Sequence, residues 1–128
     1  MKTASFSILL LALAACGPSS NHQADGGRDR LVCTTELVFI TVKVLDALGN
    51  PVEGATVTGT NPSSQKTSTG TTNGSGVTTA IGEDLGQGTV HVQATMGTKV
   101  SDVKDVVFTC GECHCIGEPN AVTLTLSP

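Results

Sequence analysis

The chain has no Trp and no Tyr, and its 128 residues include only three Phe. Base-stacking platforms are therefore missing, and a net charge of −4 leaves no basic surface to take their place. Both absences argue against a nucleic-acid partner. The acidic balance is slightly stronger once Lys2 leaves with the leader, and it also argues against electrostatic attachment to an anionic membrane. Helix-forming Glu, Lys and Gln are scarce, while Thr, Val and Gly dominate, which favours strands and turns. A core must come mainly from Val, Leu, Ile and Ala and will be thin. A domain of about 100 residues already sits near the lower end of comfortable stability, so covalent constraint would help it.

Residues 1–15 read as a targeting segment. Lys2 supplies a positive start. The apolar stretch from Phe6 to Ala15, about ten residues, is too short to span a bilayer as a permanent helix. It ends in Leu13-Ala14-Ala15-Cys16, followed by Gly17-Pro18-Ser19-Ser20. This resembles the bacterial lipobox, in which a Leu and two small residues precede a Cys that receives a diacylglycerol on sulfur. The resemblance implies that Cys16 is lipidated and becomes the N-terminus, and that the chain partners a membrane through its lipid. Two or three acyl chains anchor far more firmly than one. Gly17, rather than Asp, after the Cys favours the outer membrane by analogy with enteric sorting rules. Residues 16–30 then form a tether: Ala24 is its one apolar side chain besides Pro18, too little to offset ordering entropy. His22 stands there without a second metal ligand nearby and reads as a solvated linker residue.

From residue 31 the chain reads as one domain. Val38, Ile40, Val42 and Val44 share one face of a strand, and Phe39, Thr41, Lys43 and Leu45 the other. Asp46 to Pro51 is a dense turn signal. Further strands are expected over Val52–Thr60, weakly near Lys66–Thr69, and over Val77–Ile81, Thr89–Thr95, Val100–Thr109 and Ala121–Leu126. Gly82 to Gly88 reads as a loop, and no segment has helical period. Six or seven short strands with regular turns predict an all-β fold: a single small antiparallel β-sandwich, residues 31–128.

The run Val42-Lys43-Val44-Leu45-Asp46-Ala47-Leu48-Gly49-Asn50-Pro51-Val52-Glu53-Gly54-Ala55-Thr56-Val57 resembles the opening of carboxypeptidase regulatory-like domains, with their V-x-V-x-D-x-x-G-x-P-V-x-G-A-x-V pattern. Thr69 to Gly76 is similar to their later T-(D/N)-x-x-G turn, and Asp105 to Leu126 to the closing strands of exported bacterial members. The resemblance implies a prealbumin-like sandwich serving as an accessory, adhesive or spacer module. It does not imply peptidase activity, and the sequence holds no zinc-protease signature. Asp46 is suited to accept bonds from turn amides, Gly49 to take a positive φ, and Pro51 to preset the next strand.

Four cysteines remain after lipidation: Cys33, Cys110, Cys113 and Cys115. In an exported domain these suggest two disulfides, with three pairings open. Cys113 and Cys115 have one residue between them, which strains a direct bridge. Cys33–Cys113 with Cys110–Cys115 is favoured, and Cys33–Cys115 and Cys33–Cys110 stay open.

Cys110-Gly111-Glu112-Cys113-His114 also matches the haem attachment string C-x-x-C-H. Haem needs an apolar pocket, usually built from helices, and this string lies between two short strands. Zinc on Cys110, Cys113, His114 and Cys115 has suitable ligand types but cramped spacing, and exported thiols oxidise. His114 is expected to be a partly exposed loop or strand residue. A Lys–Asn isopeptide is disfavoured, because Val44 holds the inward place and Lys43 faces the other way. His91 is expected on an outward face. Asp102, Asp105, Glu83 and Asp84 read as an acidic surface rather than a calcium site.

No nucleophile–base set is identifiable from the sequence, so an enzyme is not expected and no cofactor is assigned. The expected function is a lipid-anchored envelope module, binding, adhesive or structural, that meets an envelope protein or polysaccharide. The alternative is a metal- or haem-carrying redox protein using the Cys110–Cys115 cluster.

Overall fold

The computed structural model describes residues 32–128. The leader, Cys16, the tether and His22 lie outside the described residues.

Among the described residues nine strands build two sheets: β1 (Thr41–Leu45), β2 (Thr56–Asn61), β3 (Lys66–Thr71), β4 (Val77–Thr78), β5 (Gly88–Met96), β6 (Lys99–Val100), β7 (Lys104–Cys110), β8 (Cys115–Glu118) and β9 (Ala121–Thr125). One sheet has the order β4-β1-β9. The other runs β3-β2-β5-β7-β8, with β6 paired to β5. The architecture is the predicted all-β sandwich, and it differs from the expectation in one pairing. β1 and β9 run parallel, Val42 beside Val122 and Val44 beside Leu124. A tight hairpin cannot join parallel neighbours. The chain instead reaches β9 from β8, in the opposite sheet, through Pro119 and Asn120, with a cis bond before Pro119.

Period-two patterning explains the core. Ile40, Val42 and Val44 face inward, as do Ala55 just before β2 and Val57 on it, Val90, Val92 and Ala94 on β5, and Val122, Leu124 and Leu126 at the end. Val38, expected on the same face, is half-buried, and Phe39 points outward. Val106 and Phe108 complete the layer from β7. Among the described residues Phe108 is the one aromatic ring in the core.

Turn chemistry sets the register. The Asp46 carboxylate accepts from the backbone N–H groups of Leu48 and Asn50, both at 2.9 Å, and Gly49 takes φ +87°. Asn73 repeats the device: its side-chain oxygen accepts from Ser75 and Val77 at 3.0 and 3.1 Å. Gly76 closes that turn at φ +73°, where a Cβ would come within 2.7 Å of the Val44 carbonyl. The two turns are tied by buried Thr72, whose hydroxyl donates to the Val52 carbonyl at 2.6 Å and accepts from the Ala55 N–H at 2.9 Å.

Two elements depart from the sequence reading. Val100–Thr109 divides into β6 and β7, and Cys115–Glu118, assigned no strand from the sequence, is one. The tip Cys110–Cys115 therefore closes a β7–β8 hairpin inside the larger sheet, not a hairpin with the last strand. Within the expected loop Gly82–Gly88, Glu83–Leu85 forms one 3-10 turn with Leu85 buried.

Candidate functional site

One end of the sandwich carries both disulfides. Cys33 is joined to Cys113 across 80 positions, with Cα atoms 5.1 Å apart. Cys110 is joined to Cys115, its register partner on β8. The same hairpin tip is closed by the Gly111 N–H, which donates to the His114 carbonyl at 2.8 Å. All four sulfurs are thus held in S–S bonds and none is a thiolate ligand.

Glu83 organises this end. The backbone aligns it: Ile40 N–H donates to the Ile81 carbonyl and Glu83 N–H to the Val38 carbonyl, both at 2.9 Å, so the segment before β1 lies against residues 81–83. The Glu83 side chain, 8% exposed, then accepts three hydrogen bonds. They come from Cys115 N–H at 2.8 Å, Val38 N–H at 2.8 Å and His114 Nδ1 at 2.9 Å. The Cys115 N–H is the main cause that holds its carboxyl below the ordinary 4.5, followed by His114 and the Val38 N–H.

An ionised carboxylate only accepts, so Nδ1 of His114 carries the proton. In neutral imidazole the other nitrogen, Nε2, then has its lone pair free to accept. It faces Thr34 Oγ1 at 2.9 Å, and the threonine hydroxyl donates to it. Thr34, His114 and Glu83 form a continuous hydroxyl–imidazole–carboxylate chain. The Cys33–Cys113 bridge explains how the first two meet, since each follows one of the bridged cysteines.

Because the Glu83 pKa is depressed on folding, its contribution is present above 4.5 and is lost as pH falls through the lower folded value. Glu83→Gln is expected to melt below wild type at neutral pH. The gap should shrink as the pH falls below 4.5 and through the lower folded value, where wild-type Glu83 takes up its own proton. Paired thermal melts across this range check it, and a constant gap would contradict the assignment.

His91 is exposed as expected, and strand pairing adds a partner that the sequence reading lacked. Asp105 stands opposite it on β7, its carboxylate 2.6 Å from Nδ1. This pair is solvent-facing and contributes little to stability. Three of the four acidic residues considered for calcium are engaged separately: Asp102 with Lys104 at 3.1 Å, Asp105 with His91, Glu83 with His114. Among the described residues no three His, Cys, Asp or Glu side chains are arranged to hold a metal ion. Lys43 is exposed and Val44 buried.

Glu83, read from the sequence as part of an acidic surface, is nearly buried instead, and Asn61 went unnoticed there. Glu83 sits in an expected loop, 31 positions from His114. Asn61 is fully buried at the end of β2, its amide donating to the carbonyls of Leu85, Gly86 and Gln87 at 2.9, 3.2 and 3.0 Å. Its position continues the inward series Ala55, Val57, Gly59, which is the one signal that could have found it.

Fold and bridges together define a small β-sandwich clamped by two disulfides at one end. No family model matches the chain, and no curated protein matches it.

Proposed function

We propose that the protein is a lipid-anchored module of the bacterial cell envelope, acting by binding, adhesion or structure. The observation that carries this reading is the use of the cysteines. Four of the five are in the two bridges, which suits an oxidising, exported location. The fifth, Cys16, stands in the lipobox-like Leu13-Ala14-Ala15-Cys16. A sandwich with Asx-type turns at Asp46 and Asn73 also supports the carboxypeptidase regulatory-like resemblance, whose members serve as accessory modules. The outer membrane is the favoured location, and an envelope protein or polysaccharide the favoured partner.

The redox-carrier alternative is disfavoured by the same geometry. The sulfurs that would hold metal or haem are bonded to one another. Both ring nitrogens of His114 are engaged, one with Glu83 and one with Thr34.

Cys16→Ser is expected to release the protein from the membrane fraction, because oxygen cannot replace sulfur in the thioether. Fractionation of expressing cells with immunodetection checks this. A mutant as membrane-bound as wild type would remove the lipid-anchor reading.

A further inference from the structure

Thr34, His114 and Glu83 have the relationship that activates a hydroxyl nucleophile: a hydroxyl in hydrogen-bond reach of an imidazole, and the imidazole oriented by a third group. The distances are 2.9 Å from Oγ1 to Nε2 and 2.9 Å from Nδ1 to the carboxylate. Glu83 fixes the tautomer that leaves Nε2 basic and would stabilise the imidazolium formed when Nε2 takes a proton. Val38 and Cys115 N–H groups hold that carboxylate on two more sides, so its orientation does not depend on His114 alone. Thr34 is exposed, which leaves its hydroxyl open to a reagent arriving from solvent. Thr35, also exposed, stands one residue on.

We propose that Thr34 is a covalent acyl-acceptor site, taking an acyl group from an activated carboxylic ester with His114 as the base. Thr34 Oγ1 attacks the ester carbonyl carbon while Nε2 of His114 removes the hydroxyl proton. The carbonyl–oxygen bond to the leaving alcohol breaks, and the proton passes from Nε2 to that departing oxygen. The products are an O-acylated Thr34 and the free alcohol, with no redox partner. Such a step would let an exported module carry the acyl group, and so fasten itself to a neighbour whose own carboxyl group is the activated ester. It goes beyond the anchoring proposal and does not depend on it.

The test uses the oxidised protein and p-nitrophenyl acetate as probe, with site-resolved acetylation read by peptide mass spectrometry. A positioned base contributes about 100-fold or more. Thr34 is therefore expected to acetylate at least about 100-fold faster than Thr35 in the same molecule. His114→Gln should bring Thr34 down to the Thr35 rate, and Thr34→Ser should keep the fast reaction. The comparison of Thr34 with Thr35 within wild type needs no variant to fold. Equal rates at the two threonines, or an unchanged Thr34 rate in folded His114→Gln, would overturn the proposal.

Discussion

Replacing Cys33 and Cys113 together by Ser is expected to lower the melting temperature of the oxidised domain by about 20 °C or more. The bridge spans 80 positions, nearly the whole described chain. In the loop-entropy account a closure of that size restricts the unfolded chain by roughly 4–5 kcal/mol, against about 2 for the five-residue separation of Cys110 and Cys115. The total stability of a small domain is only about 5–15 kcal/mol, so the longer bridge is a large share of it. The double Ser variant avoids leaving an unpaired thiol that could exchange with the second bridge. Cys110→Ser with Cys115→Ser is the matched comparison and should cost less than half as much. Thermal melts of the three proteins check the order. Similar losses from both pairs would show that the sheets, and not the long closure, govern stability.

Phe108→Ala is expected to cost about 3–5 kcal/mol, enough to leave the domain barely folded. The ring is fully buried on β7 and fills the space above Gly117. A Cβ added at Gly117 would meet it at 3.0 Å and Ile40 at 2.7 Å, so the neighbours are already close-packed. Among the described residues the surrounding core is Val, Ile, Leu and Ala, with no second buried ring to move into the cavity. Phe108→Leu keeps most of the volume and should cost under about 1.5 kcal/mol. Urea titrations of both variants test this. Equal small losses would mean that the core closes around the missing ring.

Sequence patterning was most informative where one strand has one wet and one dry face. The series Ile40-Val42-Val44, Val90-Val92-Ala94 and Val122-Leu124-Leu126 could be read directly, and all are buried. β8 could not be read because its alternation is inverted in size: Gly117 faces inward under Phe108, while Ile116 is 59% exposed. A glycine at the inward position leaves no apolar signal. The parallel β1–β9 pairing was invisible because nothing local in Ala121–Thr125 encodes which neighbour it will meet. The same applies to the site. Cys33, Cys110, Cys113 and Cys115 announced themselves by type. The Thr34–His114–Glu83 chain did not, because it depends on the long bridge and on register between distant segments. Glu83 in particular looks like any solvated loop acid until Val38, His114 and Cys115 converge on it.

The intact mass of protein extracted from the membranes of producing cells, with and without alkylation, tests the anchored and doubly bridged state most directly. The prediction is a chain beginning at a lipid-modified Cys16, with no alkylation before reduction and four alkylated cysteines after it. Four thiols free before reduction, an unmodified leader, or stoichiometric zinc or haem on the extracted protein would contradict it.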